Sequence, residues 1–265
     1  MAPNESLTRR TGSNWRRGFA PISVREIRRW LFTRRGVVHL ALWSGLLGGA
    51  LAFALFVIPN AMPEDEMMTL ADQLEAGRQF FFGLGAIATA VGAIVMLQDG
   101  LIEDKAAGTV ELVLSKPLSR PAYVLGRLVP NLAACLVTMI AVPAAIGAVL
   151  FAIVDPAFTV STFTRAAVVL ALHLVFYATL SILLGTLVRT RGPYLGVGLG
   201  VLLGGTLVPI AEVVRFTPWK LSEVAILIAG GAPLSRDARI MIASTGIWSA
   251  VFLATAIQRM QRAEL

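Results

Sequence analysis

The sequence predicts an all-α integral membrane protein with six transmembrane helices, an N-terminal interfacial helix, and a cytoplasmic helix between spans 2 and 3. Three observations lead to this prediction. Hydrophobic residues make up 56% of the 265 residues and charged residues only 15%, with a mean hydropathy of +0.74, which is too apolar for a soluble domain. Apolar runs long enough to cross a bilayer recur along the chain. Basic and acidic residues fall in different loops between those runs.

The N-terminal region contains no apolar run. We expect residues 1–21, rich in Ser, Asn and Arg, to form a flexible cytoplasmic tail. Residues 22–34 alternate apolar and basic positions at helical spacing, which predicts an amphipathic helix with Ser23 as its N-cap. A basic helix with a tryptophan, here Trp30, is typical of an anionic membrane surface. It acts there either as an anchor alone or as an elbow that also contacts a cytoplasmic partner.

Six apolar runs predict the spans of a single membrane domain covering residues 1–265. They lie at about residues 37–58, 80–97, 128–154, 166–188, 194–210 and 240–257. Pro59 is predicted to end the first span, and Pro130 and Pro143 to bend the third.

Charge distribution predicts the orientation. The stretch from Pro59 to Gly77 contains five acidic residues and neither lysine nor arginine, whereas nine arginines lie between Arg9 and Arg35. The positive-inside rule places the first stretch outside and the second inside. Both termini are then cytoplasmic, in a multi-pass membrane protein. The net charge of +7 reflects this topology, and no nucleic-acid partner is expected.

Two further segments have specific predictions. Residues 212–237 have mixed charges, and Val224 to Ala229 is too short to span, so a partly embedded or interfacial helix is expected there. Gly196, Gly200 and Gly204 recur every four residues on one helix face, which allows close approach of another helix. That second helix belongs either to the same subunit or to a dimer partner.

The longest polar interruption with both charge signs runs from Gln98 to Arg127. It contains an acidic cluster, a glycine-threonine break at Gly108, and two prolines that limit a short helix to about two turns. We expect that short helix, around residues 109–114, to lie across the ends of two spans.

This stretch resembles the signature loop of the type-2 ABC transporter permeases. It is especially similar to the short six-span permeases that include the one encoded with nitrous oxide reductase maturation factors. The similarity lies in the acidic cluster, the glycine-threonine break, the Leu-rich turn before Pro117 and the basic residues Arg120 and Arg127. The sequence Glu-x-Gly-Thr, with one residue between the acid and the glycine, is common in the family. This chain departs from that pattern, because four residues separate Glu103 from Gly108.

The resemblance implies a permease subunit for substrate export across the prokaryotic plasma membrane, without enzymatic activity of its own. It implies a homodimer of permeases coupled to separate cytoplasmic ABC ATPase subunits, which would hold the ATP and Mg. No G-x-x-x-x-G-K-[ST] phosphate loop occurs in the sequence, and no cofactor is expected in this chain. The residues expected to couple to the ATPase are Asp99, Glu103, Asp104, Gly108, Thr109, Glu111, Leu112, Pro117 and Arg120.

Other chemistry is sparse. The two histidines, His39 and His173, have no acidic residue or cysteine at ligand spacing, so neither a metal site nor a catalytic group is predicted. His173, Asn131 and Thr138 are candidates to line a substrate path, or they pack and bond neighbouring helices. A self-contained carrier or channel and a non-transporting membrane anchor remain alternatives. The absence of charged residues from spans 37–58, 166–188 and 194–210 argues against an ion-coupled carrier.

Overall fold

The computed structural model describes residues 18–63, 67–106, 119–207 and 211–262, and these residues form helices and connecting turns without a β-strand. The predicted all-α class is therefore confirmed for this part of the chain. Most of the predicted tail and the predicted helix at residues 109–114 lie outside the described residues. The helices are α1 (Phe19–Leu31), α2 (Arg34–Ala61), α3 (Leu70–Arg78, continued through Gln79–Leu84 into Gly85–Ala106), α4 (Arg120–Val154), α5 (Val160–Leu187), α6 (Arg191–Leu207), α7 (Ala211–Val214), α8 (Leu221–Ala229) and α9 (Arg236–Arg262).

Five of the described helices are long and apolar enough to cross a membrane: α2, α3, α4, α5 and α9. The shortest has 27 residues, which corresponds to about 40 Å at 1.5 Å per residue, against about 30 Å of bilayer hydrocarbon. The sixth predicted span coincides with α6, which has 17 residues and a length of only about 25 Å. Length and composition thus give five candidate spans, and the sixth stays a prediction.

Helix α1 begins at Phe19, three residues before the predicted start. Gly18, with a φ of 91°, leads into it, and Pro21 fits in its first turn because the N–H groups there have no intrahelical acceptor. Ser23 lies inside the helix and is buried, so its prediction as N-cap is wrong. The helix ends at Leu31, and Thr33 caps α2 by accepting a hydrogen bond from the Arg35 amide at 3.2 Å.

Helix α3 starts ten residues before the predicted second span. Thr69 and Asp72 form a capping box, in which the Thr69 hydroxyl accepts from the Asp72 amide at 3.2 Å and the Asp72 carboxylate accepts from the Thr69 amide at 3.4 Å. The acidic residues of the first turns masked this start, because hydropathy alone assigns them to the loop. They are stabilising at a helix N-terminus.

Pro59 does not end the first span, contrary to the prediction. A π-helical turn at Phe53–Val57 precedes it, and α2 continues to Ala61. Proline cannot donate to the carbonyl four residues before it, which is that of Leu55. The side-chain amide of Gln73 on α3 donates to this carbonyl instead. Another π-helical turn, Leu136–Ala141, precedes Pro143 in α4, so this proline is also accommodated within a continuous helix.

Helix α5 is the centre of the bundle. Within the membrane windows of the helices, 72% of the α5 residues are buried, against 33% for α2 and α4 and 22% for α9. Around its N-terminal end, five phenylalanine rings contact each other with centroids 5.0 to 5.9 Å apart, namely Phe81, Phe82, Phe151, Phe158 and Phe163. Cys135 of α4 is 1% exposed in the same core. A smaller buried cluster joins α3, α4, α5 and α9 around Tyr123 and Met260.

The segment of α7 and α8 packs back against the bundle. Helix α8 has nine residues, about 14 Å, and cannot span a bilayer. The Trp219 indole N–H, just before α8, donates to the carbonyl of Val201 in the middle of α6 at 2.6 Å. A Cβ on Gly204 would lie 2.8 Å from the Trp219 ring. By contrast, nothing in the described chain lies within 4 Å of such an atom on Gly196 or Gly200, so only one glycine of the repeat is used for packing within the subunit.

Candidate functional site

Helix α1 is fixed to α4 by a buried charged pair. Glu26 is the only acidic residue between positions 6 and 63, and α1 turns its side chain away from solvent, so that it is 3% exposed. Its Oε1 lies 3.8 Å from Nη1 of Arg127 on α4, whose side chain is 6% exposed. The exposed Arg29 also lies 3.7 Å from the Glu26 carboxylate. Both partners of the buried pair have lost most of their hydration, so removal of either one would leave the other charge buried without it.

Asn131 completes this network. Its Nδ2 donates to Oε2 of Glu26 at 3.3 Å and to the carbonyl of Arg127 at 2.8 Å, while its Oδ1 accepts from the Trp30 indole at 2.8 Å. One amide therefore binds two residues of α1 and the backbone of its own helix. The structure places Asn131, a predicted path residue, in the contact between these helices. We call Glu26, Trp30, Arg127 and Asn131 the elbow network.

A glycine brings the two helices close enough for these bonds. A Cβ on Gly126 would lie 3.0 Å from both Cβ and Cγ2 of Ile22 and 3.4 Å from the carbonyl oxygen of Phe19. Side chains larger than glycine at this position would push α1 away from α4. The Arg127 guanidinium also lies 5.3 Å from the ring centroid of Tyr123, within the range of an attractive cation–π contact.

Arg120 joins the start of α4 to the end of α9. Ser119 caps α4 by accepting from the Ala122 amide at 3.2 Å, which orients Arg120 as the first helical residue. Its Nη1 donates to the carbonyls of Met260 at 3.2 Å and Gln261 at 2.6 Å. These carbonyls belong to the last described turn of α9, so the guanidinium holds that turn to the start of α4.

The other residues predicted to couple to an ATPase are only partly described. The backbone of Asp99, Glu103 and Asp104 continues α3 to Ala106, and nothing is described of their side chains. The remaining members of the set lie outside the described residues: Gly108, Thr109, Glu111, Leu112 and Pro117. Of the predicted set, Arg120 is the residue whose partners the structure gives.

The three predicted path residues do not meet in one site. Thr138 is buried, and its hydroxyl donates to the Ala134 carbonyl of its own helix at 2.9 Å. His173 is buried on α5, with its ring 4.9 Å from that of Tyr177. No hydrogen bond or ring contact given for the described residues joins His173 to Asn131 or Thr138.

Sequence reasoning missed two groups of polar residues. The first is Glu26 and Trp30 of the elbow network, for which the isolation of one acid among arginines was an available signal. The second is Tyr177 and Ser181, which follow His173 at intervals of four and therefore share its face of α5. The Nδ1 of His173, the hydroxyl of Tyr177 and that of Ser181 are buried, and none has a hydrogen-bond partner among the described residues.

The comparison with known families agrees with this fold. A family model described as ABC-2 family transporter protein matches residues 57–226, which is more than half of the chain and includes the whole stretch from Gln98 to Arg127. Among curated proteins, none matches the chain significantly. The family match coincides with an all-helical chain that has five candidate membrane spans. The chain therefore belongs to the ABC-2 family of transporter proteins and is a membrane permease component.

Proposed function

We propose that this chain exports a substrate across the plasma membrane using ATP hydrolysis by a separate cytoplasmic ABC ATPase. Its membership of the ABC-2 family supports this role. The observation that favours it most is the attachment of the first turns of α4. Arg120 binds the end of α9, and Arg127 binds α1. A displacement of the start of α4 would therefore also move α1 and α9.

The ATPase would bind the stretch between α3 and α4. The acidic residues at the end of α3 and the segment from Gly108 to Pro117 form its contact surface in this proposal, with the short helix at residues 109–114 as the coupling helix. Closure of the ATPase dimer around ATP pushes this helix toward the membrane. The push passes along α3 on one side and α4 on the other.

The elbow network makes α1 and α4 move together. Separating Glu26 from Arg127 would leave two uncompensated buried charges, which costs several kcal/mol. Relative sliding of the two helices is therefore more costly than their joint rotation. Because Arg120 also binds α9, the same movement tilts the last span. This tilt opens a path to the outside.

A second copy of the chain would complete the transporter. The face of α6 at Gly196 and Gly200 is open within the described part of one subunit, and small residues allow close helix approach in membranes. These features support a homodimer with α6 near its seam. His173 and Thr138 are the polar candidates for the substrate path, with Asn131 acting on it through the α1–α4 contact.

The first test is co-purification with an ATPase. The second is to find whether variants of the coupling segment hydrolyse ATP without transport. The tagged full chain is purified from native membranes in mild detergent, and an ATPase subunit is expected at about equal stoichiometry. Compounds are then screened for stimulation of hydrolysis, and those that stimulate are assayed for transport in vesicles. Replacement of Gly108 or Glu103 is expected to leave hydrolysis intact and to abolish transport, whereas Glu75→Ala, near the opposite end of α3, should change neither.

Two results would contradict this proposal. Wild-type coupling in both the Gly108 and the Glu103 variants would exclude the coupling helix from force transmission. Repeated absence of an ATPase under crosslinking would instead favour the carrier or the membrane anchor.

A further inference from the structure

A groove of about 620 Å³ lies between α1, α2 and the middle of α4. This volume is within the range of about 300 to 1,000 Å³ typical of sites for small ligands. Its walls are almost entirely apolar, and its most exposed walls include Leu31 and Val37, both 71% exposed in the single chain. Val137 on α4 forms the opposite wall and is 52% exposed. An apolar cleft beside an interfacial helix matches the shape and chemistry of an acyl chain.

Two arginines directly precede the groove residues of α2. Arg34 and Arg35 begin α2, directly before the groove residues Gly36 and Val37. The Arg35 guanidinium lies 5.0 Å from the ring centroid of Trp30, which also lines the groove. No acidic residue in the described part of the chain pairs with either arginine. Two permanent positive charges at the N-terminus of a 28-residue helix favour an anion there.

One buried polar group of the groove also lacks a partner. The hydroxyl of Ser23 lines the groove, the residue is 7% exposed, and its Oγ has no hydrogen bond to any described residue. A buried hydroxyl without a partner is costly, and a rotation of the Ser23 side chain toward the groove would let the ester or phosphate oxygen of a lipid satisfy it.

We propose that this groove is a binding site for one anionic phospholipid of the leaflet that α1 contacts. The phosphate binds Arg34 and Arg35, the Ser23 hydroxyl donates to an oxygen of the glycerol or phosphate region, and one acyl chain fills the groove past Val137. Charge complementarity distinguishes this occupant from a zwitterionic lipid. The apolar floor distinguishes it from a free phosphate.

The experiment titrates the delipidated full chain with lipid and counts bound molecules by native mass spectrometry. Dioleoyl phosphatidylglycerol is compared with dioleoyl phosphatidylcholine, which has the same chains, and with glycerol phosphate, which has none. We expect one tightly bound phosphatidylglycerol per chain. Arg34→Gln with Arg35→Gln should lower its affinity by roughly 25-fold, because each arginine near an anionic lipid contributes roughly fivefold. Val137→Trp should fill the groove and abolish the bound lipid.

Two control variants test whether the loss of any arginine, or the addition of any tryptophan, has the same effect. Arg189→Gln removes an exposed arginine from the short loop before α6, and Val149→Trp adds a tryptophan to an exposed position of α4 outside the groove. Both should bind phosphatidylglycerol like the wild type. Equal affinity for the two lipids, or unchanged binding in the double arginine variant, would overturn the proposal. So would a Val137→Trp variant that keeps its lipid but changes from dimer to monomer, because the groove would then be a subunit interface.

This lipid site does not depend on the proposed transport function. Lipid counting requires neither an ATPase nor a substrate, so a chain that binds phosphatidylglycerol without recruiting an ATPase would contradict only the transport proposal.

Discussion

Arg127 of α4 lies 3.8 Å from Glu26 of α1, with the two side chains 6% and 3% exposed. The pair is buried where α1 meets α4, one of the candidate membrane spans. Because water cannot replace either partner at this depth, the attachment of α1 depends on both charges being present.

Removal of one partner of this pair should therefore be severe. Glu26→Ala leaves the Arg127 charge without its carboxylate, and we expect a loss of about 3 to 5 kcal/mol in the free energy of unfolding, measured by thermal or denaturant unfolding in detergent. Glu75→Ala breaks the more exposed pair with Arg78, whose atoms are 3.0 Å apart, and should cost about 1 kcal/mol or less. Equal losses in the two variants would show that Glu26 has no special structural role.

Gly126 should tolerate no side chain while Ile22 is present. Gly126→Leu places atoms where Ile22 already lies, and overpacking of this kind costs about 1 to 3 kcal/mol. The added variant Ile22→Ala should recover part of that loss, which a double-mutant cycle measures. Gly45→Leu is the control, since nothing lies within 4 Å of the place that a Cβ would take at this position. An additive cycle would mean that Gly126 and Ile22 do not meet in solution.

Arg120→Gln should loosen the end of α9. The variant lacks the charge and most of the donors that reach the Met260 and Gln261 carbonyls, and a favourable charge at a helix end contributes about 1 kcal/mol. Amide hydrogen exchange over residues 255–262 should accelerate by about fivefold. Arg165→Gln removes a bond to Ser161 within α5 and should leave exchange in α9 unchanged. The attachment is refuted if the Arg120 variant exchanges like the wild type.

Substitutions of the α6 glycines should differ in their effects on folding and on dimerisation. Gly204→Leu would collide with the Trp219 ring, 2.8 Å from the added Cβ, and should lower the unfolding temperature. Gly200→Leu faces open space within the subunit, so the monomer should fold normally while the dimer weakens. Light scattering with detergent correction measures the oligomeric state. A dimer that survives Gly200→Leu would place the seam elsewhere.

The variant His173→Leu tests whether this histidine serves helix packing alone or also transport. The Nδ1 of His173 is buried and has no hydrogen-bond partner among the described residues, so an apolar side chain of similar size should keep or raise the unfolding temperature. If His173 lines the path, transport should fall while ATP hydrolysis continues. Full transport by this variant would assign the histidine to packing alone.

The sequence predicts the spans better than it predicts their contacts. Apolar runs locate five candidate membrane helices because a bilayer demands length and hydrophobicity, which are local properties. The start of α3 at Leu70 and the passage of α2 beyond Pro59 were missed because they depend on a cap and on the Gln73 side chain. Both are interactions that hydropathy does not record.

For the candidate site too, the sequence indicates residues but not the contacts that they make. Arg120 and Arg127 stand out in the sequence as basic residues before a span, but their partners lie on α9 and α1, far away in the chain. No periodicity encodes such a pairing. Glu26 was missed as well, although a single acid in a long basic and apolar stretch was an available signal.

The burial of Cys135 has a practical consequence for watching this protein move. The only thiol of the chain is 1% exposed in the core of α4, so polar maleimide or nitroxide reagents should not reach it in the folded state. Reporter cysteines can then be added to α1, α4 and α9 without first removing the natural one. Spectroscopic distances between such labels would show directly whether α1 follows α4 through a transport cycle.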